Sequence, residues 1–163
     1  MPAASNTSPL SNLAILDRLD LLREQFGEVL IPPAVQAELK RHPDSTAKTR
    51  LEAALKQNWL RVQPLAGAVP DELTATLHRG EAEAIALALE LKADWVLLDE
   101  SDGRLAAKRF RLTLTGVLGV LRKAKESGRV SWLREEIARL RAEARFFVNP
   151  ALEKALLTSV GEA

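Results

Sequence analysis

Short apolar runs alternate along the chain with longer stretches in which apolar residues return every three or four positions. The runs are residues 2–5, Val29-Leu30-Ile31, residues 59–63, Trp95-Val96-Leu97-Leu98 and residues 111–115. They predict five strands, and the unbroken apolar character of 95–98 predicts a strand buried on both faces. Leu10, Leu13, Ala14, Leu16, Leu19, Leu21 and Leu22 predict one amphipathic helix over residues 8–25, with Pro9 in the first turn, where proline is tolerated. Pro32-Pro33 ends the second strand and opens a helix over 33–41, and Asp44 or Ser45 caps another over 46–57. After a loop from Pro64 to Val69, Pro70-Asp71 starts a short helix. An alanine-rich helix follows over 80–92, then helices over 103–109 and from Gly116 to about 126, the last stopped by Gly128. Two more, near 131–144 and 149–159, are separated by Asn149-Pro150.

Strands that alternate with helices imply parallel β-α units, hence an α/β fold with an open sheet of about five strands and helices on both faces. The expected organisation is a single domain over 1–163 with a helical C-terminal extension from about 131. A chain of 163 residues, 47% of them apolar, is long enough to bury one core. No apolar run approaches the roughly 20 residues that cross a bilayer, and the first residues have neither the basic region nor the apolar core of a secretory signal. The absence of cysteine excludes disulfides and thiolate metal sites. Cytoplasmic location and no membrane association are the expectation.

The net charge of +1 hides an asymmetry: residues 1–103 carry 10 Lys/Arg against 16 Asp/Glu, and residues 104–163 carry 13 against 6. Folded together, the two parts would set metal and phosphate side by side. An Arg-rich helical tail with exposed faces gives the same split.

Four polar residues sit where elements should pack inward. Asn6 directly follows the first strand and Asp99 the fourth. In an open parallel sheet, ligands collect beyond the carboxyl ends of the strands at the switch in strand order. Neighbouring strands there would leave the two about 5 Å apart. Glu38 shares the inward face of its helix with Val35 and Leu39; an ion pair with an arginine is the ordinary alternative. Glu81 shares a face with Ile85 and Ala88, and Gly80 before it admits close approach. Its ordinary alternative is a favourable charge at a helix N-terminus. Glu83 and Glu90, rotated away, are expected on a more solvated side. Asp102 either caps the following helix or completes a metal shell through water. Three carboxylates and an amide oxygen gathered at one sheet edge would form an oxygen-rich site for Mg²⁺ or Mn²⁺. Arg104, Lys108 and Arg122 are candidate phosphate contacts, and the helix start at Gly116 could offer N–H groups to phosphate. His42 and His78 have no partner at ligand spacing and are expected at the surface. Trp59, Trp95 and Trp132 are expected in core or interface. No aromatic-rich stretch offers a surface for base stacking.

Asn6-Thr7-Ser8-Pro9-Leu10, Ile31-Pro32-Pro33-Ala34-Val35 with Glu38-Leu39, Gly80-Glu81-Ala82-Glu83-Ala84-Ile85-Ala86-Leu87-Ala88, Val96-Leu97-Leu98-Asp99-Glu100, and Thr115-Gly116-Val117-Leu118-Gly119-Val120-Leu121 occur in that order. The ordered set, with Ala124-Lys125 and Gly128, resembles the PIN-like domain proteins over about residues 3–130. It looks closest to a prokaryotic subfamily related to the toxins of type II toxin–antitoxin pairs. The resemblance implies a three-layer α/β/α sandwich with a parallel sheet, and a Mg²⁺- or Mn²⁺-dependent ribonuclease site. Its acids fall on Asn6, Glu38, Glu81 and Asp99, with Thr7 and Ser8 as supporting hydroxyls. Asn6 stands where the family usually has Asp; it can ligate but brings no charge, which weakens cation binding. RNA as substrate, a small cognate antitoxin and a homodimer are the implied partners.

The main alternative is a weak or inactive PIN-like domain that binds RNA or a protein without cutting. A phosphoacceptor receiver domain would want an acid pair after the first strand and a lysine after the last, where this chain has Asn6 and Thr115. No repeat or coiled-coil pattern supports a purely structural role.

Overall fold

A computed structural model describes residues 2–163; Met1, the first residue of the expected domain span, lies outside the described residues. Five strands, β1 (Ala3–Ser5), β2 (Val29–Ile31), β3 (Leu60–Val62), β4 (Trp95–Leu97) and β5 (Leu114–Thr115), form one sheet in the order β3-β2-β1-β4-β5. Every pairing is parallel, with Ala3 opposite Val29 and Trp95, and Ser5 opposite Leu97. Strand order reverses between β1 and β4, the junction at which the residue pattern places Asn6 and Asp99.

The helices are α1 (Thr7–Ile15), α2 (Asp20–Phe26), α3 (Pro33–Lys40), α4 (Ser45–Lys56), α5 (Asp71–Thr74), α6 (Arg79–Leu91), α7 (Ser101–Arg109), α8 (Val117–Glu126), α9 (Leu133–Glu143) and α10 (Pro150–Ser159). The pleat sorts the core into two. Ala3, Val29, Ile31 and Leu97 face one layer, with Leu13, Leu51, Leu121 and Ile137 from α1, α4, α8 and α9. Their neighbours Ala4, Leu30, Val96 and Leu98 face the other, with Leu73, Ile85 and Ala107 from α5, α6 and α7. Successive strand residues thus bury on opposite faces, as period two requires, and the result is a three-layer α/β/α sandwich. Leu133, Ile137 and Leu140 of α9 share the first core, while α10, which buries no residue fully, packs Leu156 and Leu157 against it.

The continuous helix expected over 8–25 is two helices. Asp17 turns the chain with φ of 58°, and Arg50 donates to the carbonyls of Ala14 and Ile15 at 2.8 and 3.3 Å while Arg139 donates to that of Leu16 at 3.0 Å. Leucine spacing carried no sign of this break because the arginines that stabilise it come from α4 and α9. Asp44 caps α4 by accepting from the Ala47 N–H at 2.9 Å, and Gly128 with φ of 78° ends α8, both as expected. Of the expected fifth strand over 111–115, Leu114–Thr115 pair.

Leu13 is fully buried between sheet and helices. Leu13→Ala should cost about 2–5 kcal/mol of unfolding free energy, read by urea denaturation; a loss below about 0.5 kcal/mol would contradict this packing.

Candidate active site

The site begins with the pairing of two strand ends. The Asn6 N–H donates to Leu97 O at 3.1 Å, and the Leu98 N–H to Thr115 O at 2.9 Å, so β1, β4 and β5 end together. Asn6 occupies the N-cap position of α1, yet its side chain does not cap the helix. Its Oδ1 is buried without a hydrogen-bond partner and faces Gly80, where a Cβ would lie 3.3 Å from it and 2.4 Å from Glu38 Oε1. The absence of a side chain at Gly80 therefore keeps open the space between Asn6 and Glu38.

The first turn of α1 orients the acids on either side. Thr7 Oγ1 donates to Glu38 Oε2 at 2.6 Å. Ser8 Oγ lies 3.5 Å from Asp99 Oδ2, which also accepts from Asn12 Nδ2 at 3.3 Å. Glu38 has no arginine partner among the described residues; Thr7 fills that place. Asp99 Oδ1 accepts from the Val117 N–H at 2.8 Å, at the N-terminus of α8. That N–H is thus engaged and does not offer the free phosphate donor expected at the Gly116 helix start. Gly116 is needed for this contact, since a Cβ there would stand 2.4 Å from Asp99 Oδ1 and 2.9 Å from Leu98 O. Burial pushes the Asp99 carboxyl up from its ordinary value; the Val117 N–H, Asn12, Arg104 and Ser8 pull it back without cancelling the effect.

Glu81 is 3% exposed. His78 brackets it: the ring Nδ1 accepts from the Glu81 N–H at 3.4 Å and Nε2 lies 3.1 Å from Oε1. His78 and Glu81 hold the N-cap and N3 positions of α6, the spacing of a capping box with histidine in the cap position. Oε2 of Glu81 is buried without a partner, next to Gly103, where a Cβ would lie 2.9 Å away. Burial raises the Glu81 pKa; His78 opposes the rise, and Glu100 and Asp102 add to it.

Among the described residues, the three acidic or imidazole groups whose ligand atoms all fall within 4.8 Å are His78, Glu81 and Glu100. Glu38 and Asp99 lie outside that trio, each held from α1, Glu38 by Thr7 and Asp99 by Ser8 and Asn12. The arrangement is thus two adjoining clusters along one sheet edge, linked through Gly80-Glu81. His78 and Glu100 were missed by sequence reasoning; the His78-x-x-Glu81 spacing was the available signal for the first.

Other expectations need correction. Glu83 is not solvated: it is 8% exposed, pairs with Arg79 at 2.7 Å and accepts from the Ala34 N–H at 3.4 Å. The first turns of α6 are buried all round, so rotating away from Glu81 does not lead to water. Glu90 is exposed, yet it accepts from the Ala66 and Gly67 N–H groups at 2.9 and 2.8 Å. Asp102 makes no cap; Glu100 holds the N-cap position of α7 and Asp102 lies exposed in its first turn. His42 is engaged, with Nε2 2.6 Å from Ser11 Oγ and Nδ1 accepting from the Asp44 N–H. Trp132 is 44% exposed between Lys125 and Arg134.

Of the three expected phosphate contacts, Arg104 and Arg122 line a cleft of about 580 Å³ that starts at Asp99. Arg104 donates to Leu98 O at 2.9 Å, and Arg122 pairs with Glu126 at 3.4 Å. Lys108 is exposed near the end of α7 and does not line the cleft.

The donors fit a hard divalent cation. They are carboxylate and amide oxygens with one imidazole near them, and two of the oxygens are buried without partners. Each such atom costs about 1–3 kcal/mol, which an ion would offset.

A family profile described as PIN domain matches residues 2–162. A solved structure of a PilT N-terminus domain protein from the hyperthermophilic archaeon Sulfolobus solfataricus P2 is similar in fold, with a TM-score of 0.56 and 19% identity over 76% of this chain and 93% of that one. No curated protein matches the chain. No helix among the described residues is long and apolar enough to cross a membrane.

Two outcomes follow from the site's packing. Gly80→Ala can push the flexible end of Glu38 aside, whereas Gly116→Ala meets the Leu98 backbone. Gly116→Ala should therefore lower the melting temperature more than Gly80→Ala; equal losses in thermal melts would contradict the placement of β4 and β5. For Glu81, the folded pKa lies above the unfolded one. Its burial cost is absent below the ordinary value of 4.5 and grows as pH rises through the raised value. Glu81→Gln should raise the melting temperature of the metal-free protein at about pH 8 and change it little near pH 4.5; the reverse order would contradict the burial.

Proposed function

The chain belongs to the PIN domain family, a family of nucleases, and from that premise we propose that it is a metal-dependent ribonuclease that hydrolyses RNA phosphodiester bonds. The observation that carries this reading is the pair of buried, partnerless oxygens, Asn6 Oδ1 and Glu81 Oε2, at the carboxyl ends of the strands. Oxygen ligands held out of water with nothing to bind are expensive unless a cation binds them.

When bound, Mg²⁺ or Mn²⁺ would polarise the scissile phosphate and lower the pKa of a water. Asn6, Glu38, Glu81 and Asp99 are the residues proposed to hold it, with Asp102 contributing through water. Thr7 fixes the Glu38 carboxylate by donating to one oxygen, leaving the other toward Gly80. Asn12 and the Val117 N–H hold Asp99, so its lone pairs are pre-oriented rather than free to rotate. Arg104 and Arg122 line the path by which an anionic backbone would reach Asp99, and phosphate contacts of this kind position the strand. Lys108 is proposed as an outlying contact that adds attraction without orientation.

The biological setting proposed is that of a cytoplasmic toxin in a toxin–antitoxin pair, with a small cognate antitoxin and a homodimer as partners. The support is the resemblance of the ordered motifs to that subfamily. Residues 1–163 are read as one domain, supported by the shared core of α9 and the sheet.

Asn6 favours a second reading, a PIN domain that binds RNA and cuts weakly. An amide in place of an acid removes one charge from the cation site. Asn6→Asp should tighten Mn²⁺ binding about tenfold, a gain of about 1.4 kcal/mol, measured by calorimetry. In Mn²⁺ titrations of RNA cleavage, Asp99→Asn and Glu81→Gln should each lower the rate by at least about 100-fold, the scale of losing transition-state charge stabilisation. Cleavage unchanged in both variants would reject the site. Cleavage found only with Asn6→Asp would select the second reading.

A further inference from the structure

The cleft that starts at Asp99 has a wall that neither the motifs nor the cation site explains. Phe146 and Phe147 line it from the segment between α9 and α10, and Leu152 from α10, together with Arg104 and Arg122. Phe147 is 80% exposed and Leu152 47%. Single exposed leucines are ordinary, but a phenylalanine ring held in water beside a cleft is not.

The segment is held firmly. The Phe146 N–H donates to Leu140 O at 3.1 Å, and Phe146 packs on the main core. Val148 is 2% exposed, and Arg141 donates to its carbonyl at 3.2 Å. Asn149 then caps α10 by accepting from the Ala151 N–H at 2.8 Å. With its two neighbours anchored, Phe147 is left turned outward on a fixed backbone. A backbone fixed in advance leaves only the ring's own rotation to be ordered when something stacks on it.

Charge selects the occupant. The cleft is lined by two guanidinium groups and by the carboxylate of Asp99, which the proposed function assigns to a cation; Arg122 also pairs with Glu126 at 3.4 Å, in an exposed pair that phosphate can displace. An anionic ligand with flat apolar faces suits both kinds of lining, and the cleft's volume of about 580 Å³ is within the roughly 300–1,000 Å³ of small-ligand sites. We propose that this cleft is a single-strand RNA subsite in which Phe147 stacks on an unpaired base while Arg104 and Arg122 hold the flanking phosphates. The absence of an aromatic-rich stretch in the sequence is thus no obstacle, because the fold brings a ring from residue 147 to the edge formed by residue 99. The inference deepens the ribonuclease reading and rests on it for the direction of the strand.

Binding can be read apart from cutting. Fluorescence anisotropy in EDTA would follow a labelled single-stranded oligoribonucleotide, a duplex of the same sequence, and a single strand lacking its bases. Phe147→Ala should weaken binding of the single strand about tenfold, the scale of one lost base–aromatic contact, and Phe147→Trp should restore it. Neither the duplex nor the baseless strand should respond to Phe147→Ala. Unchanged single-strand binding in Phe147→Ala would overturn the proposal, as would an equal loss for the baseless strand. A concentration-dependent dimer that Phe147→Ala dissolves, with RNA binding intact, would assign the surface to a second copy and also overturn it. Phe147-dependent binding without Mn²⁺-dependent cleavage would uphold the subsite and remove the nuclease reading, so the two can fail separately.

Discussion

The parallel pairing of β1 with β4 is the constraint on which the rest depends. It brings the third and the ninety-fifth residues opposite each other and carries Asn6 and Asp99 to the same sheet edge. Because β2 lies on one side of this pair and β4 leads outward to β5 on the other, the chain leaves the junction in opposite directions. The loops cannot close over it, and the opening is where polar side chains can be buried yet reachable. Five strands of two or three residues each sustain this only because both faces are covered: alternating residues lock into separate cores above and below. The site is a consequence of that double burial.

The same burial makes the site costly to the metal-free fold. Carboxylates at Glu81 and Asp99 are pushed toward protonation, and two oxygens have no partner. Around them, Gly80, Gly103 and Gly116 withhold the side chains that would have filled the space. A stability-driven sequence would place alanine there and satisfy the acids with arginines. Instead Thr7, Asn12 and the Val117 N–H hold the carboxylates in orientation while leaving some lone pairs open. Rigid support combined with unsatisfied acceptors is what the proposed cation site calls for.

Most of the fold was legible because period-two and period-3.6 patterns are local. The both-faces-apolar run 95–98, the proline pair at 32–33 and the glycine at 128 each behave as their local chemistry dictates. What escaped was decided by distant partners. The break at Asp17 depends on Arg50 and Arg139, which no leucine spacing reveals. Helix rotation alone turns Glu83 toward water, whereas α3 covers that side. The candidate site was legible as a set of positions, since Asn6, Glu38 and Asp99 converge on the first turn of α1. Its division into two clusters was not, because His78 and Glu100 reach Glu81 first. Phe147 gives no sign in the sequence, since only tertiary packing brings it to the cleft that Asp99 also lines.

The central claim is that Asn6, Glu38, Glu81 and Asp99 close on one divalent ion, which requires the two clusters to draw together when it binds. The direct measurement is anomalous diffraction from crystals soaked in Mn²⁺. The account predicts a peak at the β1–β4 edge, with Asp99, Glu81 or Glu38 oxygens and Asn6 Oδ1 at about 2.1–2.2 Å, the contact distance of small hard cations. A peak held by exposed carboxylates elsewhere, or an edge that stays empty at saturating Mn²⁺ with Asn6 Oδ1 still unpartnered, would contradict it.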